Sequence, residues 1–192
     1  EKAALQDSDA PLVVGCGPVG LAVIVGLRLK GIHPIIAADF SPKRRELAAK
    51  MMEYNVKPEI EVFDAGHLVL AKQLIAEGLI DDPVMIQLCL GIAYGAPDDP
   101  LTLMSLVHGL PRDCVFSAFS IGRKQLPFVA MAALAGGNVR VGLEDNLYVS
   151  RGKLATNATL VERAVTILQG MNVRVKGPAE VREQLKLRTF AR

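Results

Sequence analysis

The sequence contains no tryptophan, and aromatic residues make up only 5% of its 192 residues. Its three cysteines, Cys16, Cys89 and Cys114, are odd in number and lack the Cys-x-x-Cys spacing. The odd number of cysteines argues against a disulfide framework, and the missing Cys-x-x-Cys spacing argues against a cysteine zinc site. The N-terminus shows no basic segment followed by an apolar stretch, so we expect no signal peptide. We therefore predict a cytoplasmic protein.

The sequence also lacks an excess of charge of either sign and a long hydrophobic run. Its 22 basic and 20 acidic residues give a net charge of +2, which does not indicate a nucleic-acid partner. The longest apolar stretch, residues 126–135, is interrupted by Pro127 and is too short to cross a bilayer. We predict a monomer or a homodimer with neither nucleic acid nor membrane as a partner.

Hydrophobic residues, by contrast, make up 51% of the chain, and predicted strands alternate with predicted helices. This alternation is typical of an α/β protein with a parallel sheet. Six strands are predicted, at 12–15, 34–38, 59–64, 84–90, 114–119 and 138–143. Seven helices are predicted, at 18–30, 42–54, 67–79, 100–110, 124–135, 159–170 and 178–187. Asp99 before Pro100 is a helix-start signal, and Thr159 with Glu162 has the spacing of a capping box.

These elements predict a single α/β domain over residues 1–192. The expected architecture is a six-stranded parallel sheet, doubly wound, with the Rossmann- or flavodoxin-like strand order 2-1-3-4-5-6 and helices on both faces. The alternative is an incomplete TIM-type barrel, because the later strands alternate polar and apolar residues, as the inward faces of a barrel do.

A glycine-rich turn of the form G-x-G-x-x-G joins the first predicted strand to the first predicted helix. Its glycines permit a tight turn and the close approach of a pyrophosphate to the helix N-terminus. Asp39 ends the second strand, where a carboxylate can bind the adenosine ribose and favour NAD over NADP. The candidate NAD-binding residues are Gly15, Gly17, Pro18, Val19, Gly20 and Asp39. The alternative is a loop that binds no ligand.

The segment of about residues 1–51 resembles the cofactor-binding domain of zinc-dependent medium-chain alcohol dehydrogenases. The motifs that carry this resemblance are Val-Gly15-Cys-Gly17-Pro-Val-Gly20-Leu and Ala38-Asp39-Phe-Ser-Pro-Lys-Arg-Arg45. The resemblance implies only the first βαβα unit of that domain. The four further strands of the dehydrogenase sheet have no counterpart here.

Residues from about 52 to 188 resemble the C-terminal half of the β-keto acid cleavage enzymes, such as 3-keto-5-aminohexanoate cleavage enzyme. The motifs are Lys57-Pro-Glu-Ile-Glu-Val-Phe-Asp-Ala-Gly66-His, Ser120-Ile-Gly-Arg-Lys-Gln-Leu-Pro127, Gly137-Asn-Val-Arg-Val-Gly-Leu-Glu-Asp-Asn146 and Pro178-Ala-Glu-Val-Arg-Glu. This resemblance implies strands five to eight of a TIM barrel. It implies Glu144 as a zinc ligand, Asp145 as the general base, and Arg140 as the group that holds the base or the substrate.

Zinc binding is not expected, because the family's His-x-His ligand pair has no counterpart in this sequence. We interpret the chain as an engineered chimera, with a dehydrogenase-like segment 1–51 joined to a half-barrel segment 52–192. The alternative origin is a natural gene fusion or a misassembled gene. It would be a scaffold without a complete catalytic site, with residual NAD binding. The first alternative is an acetyl-CoA-dependent, zinc-assisted β-keto acid cleavage enzyme, and the second is an NAD-dependent oxidoreductase.

The polar faces of the later strands carry one further prediction. Glu61, Gln87, Arg140 and Glu144 all come from the half-barrel segment and should point to the same side. An unpaired charge buried on that face would lower the free energy of unfolding by an amount on the order of several kcal/mol. We therefore predict that Arg140 pairs with Glu61 or Glu144 near a water-accessible end of the sheet. His67, at the start of a helix, is predicted to pack there rather than to do chemistry.

Overall fold

The computed structural model describes residues 12–14, 36–38 and 57–187. The chain divides into two compact units, residues 1–50 and residues 51–192. In the first unit, β1 (Leu12–Val14) pairs in parallel with β2 (Ile36–Ala38). The predicted helices at 18–30 and 42–54, and the six candidate NAD-binding residues, lie outside the described residues.

The second unit contains a four-stranded parallel sheet in the order β3-β4-β5-β6. Its strands are β3 (Glu59–Val62), β4 (Met85–Leu90), β5 (Val115–Ser120) and β6 (Asn138–Val139). The parallel α/β architecture is therefore confirmed, as is the predicted order of the last four strands. The full six-strand order 2-1-3-4-5-6 is not confirmed, because β1 and β2 form a separate two-stranded sheet.

Five helices of the second unit connect or follow these strands. They are α1 (Ala65–Ala76), α2 (Pro100–His108), α3 (Gln125–Leu134), α4 (Asn157–Gly170) and α5 (Pro178–Gln184). A short 3-10 helix, Gly122–Lys124, precedes α3. Asp99 caps α2 as predicted, since its side chain accepts a hydrogen bond from the amide of Thr102 at 3.0 Å. Within the described part of the chain, no helix combines the length and apolar character that a membrane span requires.

The last strand and the helix that follows differ from the prediction. Strand β6 ends at Val139 rather than at residue 143, because the backbone turns at Gly142, whose carbonyl accepts the amides of Asp145 and Asn146. Helix α4 begins at Asn157 instead of 159, since Thr156 provides the cap. The predicted capping box at Thr159 is therefore wrong by one turn: Thr159 fills the third helical position and its hydroxyl accepts from the amide of Thr156.

The segment before α4 holds a small antiparallel hairpin that the sequence analysis does not predict. Its strands are β7 (Tyr148–Ser150) and β8 (Lys153–Leu154). Gly152 in the turn has φ +75°, a left-handed conformation that favours glycine. This hairpin lies close to the end of β6 in the chain.

The strand register separates an apolar face from a polar one. Val62, Leu88 and Ala118 lie in register on one face, and each is at most 1% exposed. The residues that precede Val62 and Leu88 in the chain are Glu61 and Gln87. They are paired in register with each other and lie on the opposite face. The first face belongs to the buried core of the second unit, and the second carries the polar side chains of Glu61 and Gln87.

Candidate functional site

Arg140 lies at the centre of the polar face, directly after β6. Two residues beyond Asn138, it continues the alternation of the strand and so joins the face that carries Glu61 and Gln87. Its side chain is 26% exposed. The guanidinium group contacts side chains from β3, β4, β5 and the turn after β6, so four separate segments meet at one residue.

Arg140 binds both carboxylate oxygens of Asp145, a residue of the turn that follows β6. Nε donates to Oδ2 at 3.0 Å and Nη2 donates to Oδ1 at 3.2 Å. This bidentate arrangement fixes both the position and the plane of the carboxylate. The Asp145 side chain is only 6% exposed, so the pair is largely shielded from water.

The remaining guanidinium contacts are with two other carboxylates and an amide. Nη2 donates to Glu144 Oε2 at 2.7 Å, and Nη1 donates to the side-chain oxygen of Gln87. Nη1 also lies 3.6 Å from Glu61 Oε1. The predicted pairing of Arg140 with Glu61 or Glu144 is thus confirmed for both. The Glu144 side chain is 82% exposed, so the cluster opens to water on its side.

Phe119 of β5 provides the floor of the cluster. The guanidinium carbon of Arg140 lies 4.3 Å from the centroid of its ring, which is a cation–π contact. Phe119 itself is 1% exposed. The ring therefore limits the movement of the arginine from below, while the carboxylates limit it from the sides.

Three neighbouring elements hold the backbone of the turn that contains Asp145. The amide of Gly122 donates to the carbonyl of Asp145 at 2.6 Å, and Gln125 Nε2 donates to the carbonyl of Gly142 at 3.2 Å. Asn157 accepts from the amide of Leu143 at 2.9 Å. These contacts come from the 3-10 helix, α3 and α4, so the turn is supported by the elements around it.

Three carboxylates share one guanidinium in this cluster, which leaves a surplus of negative charge. Burial raises the pKa of Asp145, although the hydrogen bonds and charge of Arg140 act in the opposite direction. Burial likewise raises the pKa of Glu61, with Arg140 opposing it. Burial and the nearby Glu61 carboxylate raise the pKa of the Cys89 thiol to about 12. Cys89 is therefore a neutral thiol at ordinary pH, and Asp145 and Glu61 are stronger bases than ordinary Asp and Glu carboxylates.

A second polar group, which the sequence analysis does not identify, lies at the ends of β4 and β5. The Ser120 hydroxyl donates to Asp98 Oδ2 at 2.9 Å, and Lys124 Nζ donates to Asp98 Oδ1 at 2.8 Å. Ser120 is completely buried. In the sequence, the available signals for this group were the Asp98-Asp99 pair before α2 and the Ser120 that ends β5. Asp98 is 22 positions from Ser120 and 26 from Lys124, and no local pattern indicates a contact over such separations.

His67 behaves as predicted, as a residue of a helix start. Its Nδ1 accepts from the amide of Phe63 at 3.2 Å, and its own amide donates to Asp64 Oδ1 at 3.0 Å. Both contacts fasten the first turn of α1. The imidazole of His67 is thereby engaged by a backbone amide only four residues away in the chain.

The described side chains on the polar face do not provide the ligand set that a zinc ion requires. Among the described residues, no group of three His, Cys, Asp or Glu side chains is placed to hold a metal ion. Glu144 instead binds Arg140. A catalytic zinc ion generally takes three protein ligands, so the described residues do not form a zinc site.

Comparisons with known proteins agree with the second of the two resemblances. The 3-dehydrocarnitine:acetyl-CoA trimethylamine transferase of Rhizobium meliloti is 60% identical over 143 residues, covering 74% of this chain and 48% of that protein. The 3-keto-5-aminohexanoate cleavage enzyme of Acetoanaerobium sticklandii is 38% identical over 136 residues, covering 70% and 50%. This chain therefore spans about half the length of the curated relatives it matches.

The solved structures give the same fold. A ternary complex of ObcA with a C4-CoA adduct and oxalate superposes with a TM-score of 0.64 at 19% identity, covering 82% of this chain and 43% of that one. At this identity the likeness shows the fold alone.

The dehydrogenase resemblance is supported only by short matches. The erythritol/L-threitol dehydrogenase of Mycolicibacterium smegmatis is 40% identical over 50 residues, which is 26% of this chain and 14% of that protein. Such matches do not support the predicted chimeric scaffold, and the comparisons favour its first alternative. The family model for beta-keto acid cleavage enzymes matches residues 18–187 and so begins inside the dehydrogenase-like segment. The chain belongs to the β-keto acid cleavage enzyme family.

Proposed function

We propose that the chain takes part in acetyl-CoA-dependent cleavage of a β-keto acid, with Asp145 as the general base. The observation that carries this proposal is the bidentate contact between Arg140 and a carboxylate that is only 6% exposed. The names of relatives that act with acetyl-CoA, at 60% and 36% identity, support the reaction class.

Asp145 has the properties that a base needs at this position. Burial raises its pKa above the usual value of 3.8, and a stronger base is a better proton acceptor in a transition state. The most acidic C–H of a β-keto acid lies between the ketone and the carboxylate. Asp145 removes a proton from this carbon, and the exposed side of the cluster at Glu144 leaves a route for the substrate.

Arg140 keeps the base in one orientation. Since both Asp145 oxygens accept from it, the carboxylate cannot rotate without losing a charge-assisted hydrogen bond. Phe119 and Gln87 hold the guanidinium in turn. Arg140 is therefore assigned as the residue that positions Asp145.

The overall exchange conserves all atoms. The bond between the ketone carbon and the adjacent carbon breaks, and the acyl group passes to the thiol of coenzyme A as a new thioester. The carbon that Asp145 deprotonates forms a bond to the acetyl carbon of acetyl-CoA as the acetyl C–S bond breaks and frees the thiol. The acetoacetate that leaves takes the proton back from Asp145. No oxidant or reductant is required.

The surplus of negative charge favours a substrate that carries a cation. Glu61, Glu144 and Asp145 share the single guanidinium of Arg140, so a cationic group on the keto acid gains attraction and an additional carboxylate is repelled. The relative at 60% identity is named for 3-dehydrocarnitine, a trimethylammonium β-keto acid. We assign the substrate class as cationic β-keto acids.

Two further assignments concern cofactors and the first segment. We expect the purified protein to contain less than one zinc ion per chain, as metal analysis will measure. The glycine-rich turn and Asp39 are retained as a proposed NAD site, supported by the short dehydrogenase matches. A dehydrogenase origin of residues 1–51 is a proposal on the same support.

A substrate panel tests the proposed function. Purified chain is incubated with acetyl-CoA and either 3-dehydrocarnitine or 3-oxoadipate, and the new thioester and acetoacetate are detected by mass spectrometry. We expect both products from 3-dehydrocarnitine and less turnover of the dicarboxylate. Absence of a new thioester from every β-keto acid would contradict the proposal.

A further inference from the structure

The β5–α3 connection, residues 120–125, supports the backbone of the turn that contains Asp145. The amide of Gly122 donates to the carbonyl of Asp145 at 2.6 Å. Gln125 Nε2 donates to the carbonyl of Gly142, at the start of the same turn, at 3.2 Å. Gln125 is completely buried, so water does not replace it there. The position of the Asp145 backbone therefore depends on where this connection lies.

Asp98 binds the β5–α3 connection at both of its ends. The hydroxyl of Ser120, the last residue of β5, donates to Asp98 Oδ2 at 2.9 Å. Lys124 ends the 3-10 helix, and its Nζ donates to Asp98 Oδ1 at 2.8 Å and to the Asp98 carbonyl at 3.0 Å. Asp98 itself comes from the loop between β4 and α2. One carboxylate thus ties the connection to a different part of the fold.

The loop that carries Asp98 is itself held in place. Asp99, the next residue, caps α2 through the amide of Thr102 at 3.0 Å. The loop starts at Gly91, where an added Cβ would lie 3.0 Å from Asp98 Oδ2 and 3.1 Å from Ser120 Oγ. Gly91 also has φ +80°, which glycine adopts without strain. The Asp98 carboxylate therefore lies between tightly packed backbone and its two donors.

Asp98 is ionised at neutral pH, which strengthens its contacts with both donors. Burial raises its pKa, but hydrogen bonds from Lys124 and Ser120 outweigh this effect and hold the pKa below the usual value of 3.8. Its side chain is 22% exposed, so water competes for it only in part. A hydrogen bond to an ionised group is about twice as strong as one between neutral groups. Loss of this charge should therefore loosen the connection.

We propose that Asp98 is a positioning residue for the general base. It fixes the β5–α3 connection through Ser120 and Lys124, and the Gly122 amide of that connection fixes the backbone of Asp145. This inference rests on the proposed function, because the role concerns the reaction that Asp145 performs there. Asp98 neither takes the proton nor contacts the substrate in this role, and it acts only through the residues that it holds.

A positioning role has a kinetic signature. A displacement of about 1 Å at a reacting group can lower a rate about 100-fold. Binding of the keto acid does not depend on the exact place of the proton acceptor, so KM should change little while kcat falls. Lys124 is 47% exposed, and a direct contact between its ammonium group and the substrate would instead raise KM.

A set of variants separates the loss of the ion pair from the change of a surface lysine. The proteins are the parent, Asp98→Asn, Lys124→Met and Lys124→Arg. Methionine removes the charged donor from Asp98, whereas arginine keeps one. Lys72→Met is the matched control, because Lys72 is exposed on α1.

The first measurement uses NMR and needs no substrate. The scalar coupling across the hydrogen bond, between the amide nitrogen of Gly122 and the carbonyl carbon of Asp145, reports this contact in the folded protein. We expect the coupling in the parent, in Lys124→Arg and in Lys72→Met. It should be weakened or lost in Asp98→Asn and Lys124→Met.

An internal reference shows that each variant is folded. The amide of Val115 donates to the carbonyl of Val84 at 2.8 Å, where β5 begins beside the start of β4. The coupling across this hydrogen bond should be the same in all five proteins, because neither residue contacts Asp98.

The second measurement is steady-state turnover of 3-dehydrocarnitine with acetyl-CoA. In Asp98→Asn and Lys124→Met, kcat should fall about 10- to 100-fold with KM close to the parental value. Lys124→Arg should recover most of the parental kcat, and Lys72→Met should match the parent. Rescue by arginine distinguishes the ion pair with Asp98 from a general effect of replacing a lysine.

An unchanged Gly122–Asp145 coupling in both Asp98→Asn and Lys124→Met would overturn the proposal. A lost coupling with parental kcat would also overturn it, as would a rise in KM without a fall in kcat. If the parent cleaves no β-keto acid, the proposed function fails and the positioning role fails with it. If the parent is active, the proposed function stands and the variants alone decide the role of Asp98.

Discussion

Arg140 binds Asp145 through two parallel hydrogen bonds, Nε to Oδ2 at 3.0 Å and Nη2 to Oδ1 at 3.2 Å. The two residues are five positions apart, and the turn at Gly142 brings them face to face. The amide of Gly122 fixes the backbone of Asp145 from the other side. A buried carboxylate is thus held in a single orientation by its own turn and by the neighbouring strand connection.

Removal of Arg140 should destabilise the fold. In Arg140→Met the Asp145 carboxylate stays buried without its counter-ion, and a stranded buried charge costs about 3–5 kcal/mol. Urea unfolding of the parent and the variant measures the difference in the free energy of unfolding. A variant as stable as the parent would mean that water solvates Asp145 in place of the arginine.

The double variant Arg140→Met, Asp145→Leu separates the two contributions to this loss. Because it removes both partners, no charge is left buried, and much of the lost stability should return. A double variant that is less stable than Arg140→Met would show that the loss comes from packing on Phe119 rather than from the stranded carboxylate.

Asp98 should make the stability of the protein depend on acidic pH. Partial burial raises the pKa of Asp98, but hydrogen bonds from Lys124 and Ser120 outweigh it and hold the pKa below its usual value of 3.8. A carboxyl whose pKa is lowered by folding stabilises the folded state above its unfolded pKa and loses this contribution as the pH falls. The stability advantage of the parent over Asp98→Asn should therefore be full near neutral pH and shrink below about pH 4.

Denaturant melts of both proteins across this pH range provide the measurement. Asp113→Asn is the matched control, because Asp113 is exposed and has φ +61°, a conformation that asparagine tolerates. Asp113→Asn makes the same carboxyl-to-amide change at a site that contacts neither Lys124 nor Ser120, so it should not reproduce the effect of Asp98→Asn. A constant advantage of the parent over Asp98→Asn at all pH values would contradict the assigned role of Asp98.

The order of the last four strands could be predicted from the sequence because consecutive parallel strands joined by right-handed helical crossovers usually lie side by side. The start of α2 was also predictable, since Asp99 and Pro100 are adjacent signals. The end of β6 was not, because the alternation of Val139, Val141 and Leu143 continues past the point where the chain turns. Strand pairing with β5 stops at Val139, and pairing is a property of two segments.

The candidate site was predictable only as a set of residue types on one face. Resemblance to the family singled out Arg140, Glu144 and Asp145, and the strand periodicity added Glu61 and Gln87. The partnership between Gln87 and Arg140 spans 53 positions, and that between Ser120 and Asp98 spans 22. Contacts at such separation depend on the packing of whole elements, which no local pattern specifies.

The glycine-rich turn carries a separate prediction. If it binds a dinucleotide, NADH should bind with enhanced fluorescence and NADPH more weakly, because the Asp39 carboxylate meets the additional phosphate. Asp39→Ala should reduce this preference. An equal absence of response to millimolar NADH and NADPH would show that the turn binds neither.

The turnover of Asp145→Asn with acetyl-CoA and 3-dehydrocarnitine tests the role of Asp145 as the general base. Asparagine keeps the size of the side chain but cannot accept the proton, so kcat should fall about 100-fold or more, the range for loss of a general base. Coenzyme A binding should remain close to that of the parent, and Asp113→Asn should retain parental kcat. If Asp145 is the general base, Asp145→Asn should lose kcat and keep its affinity for coenzyme A. Parental turnover by Asp145→Asn would contradict the assignment of Asp145 as the base.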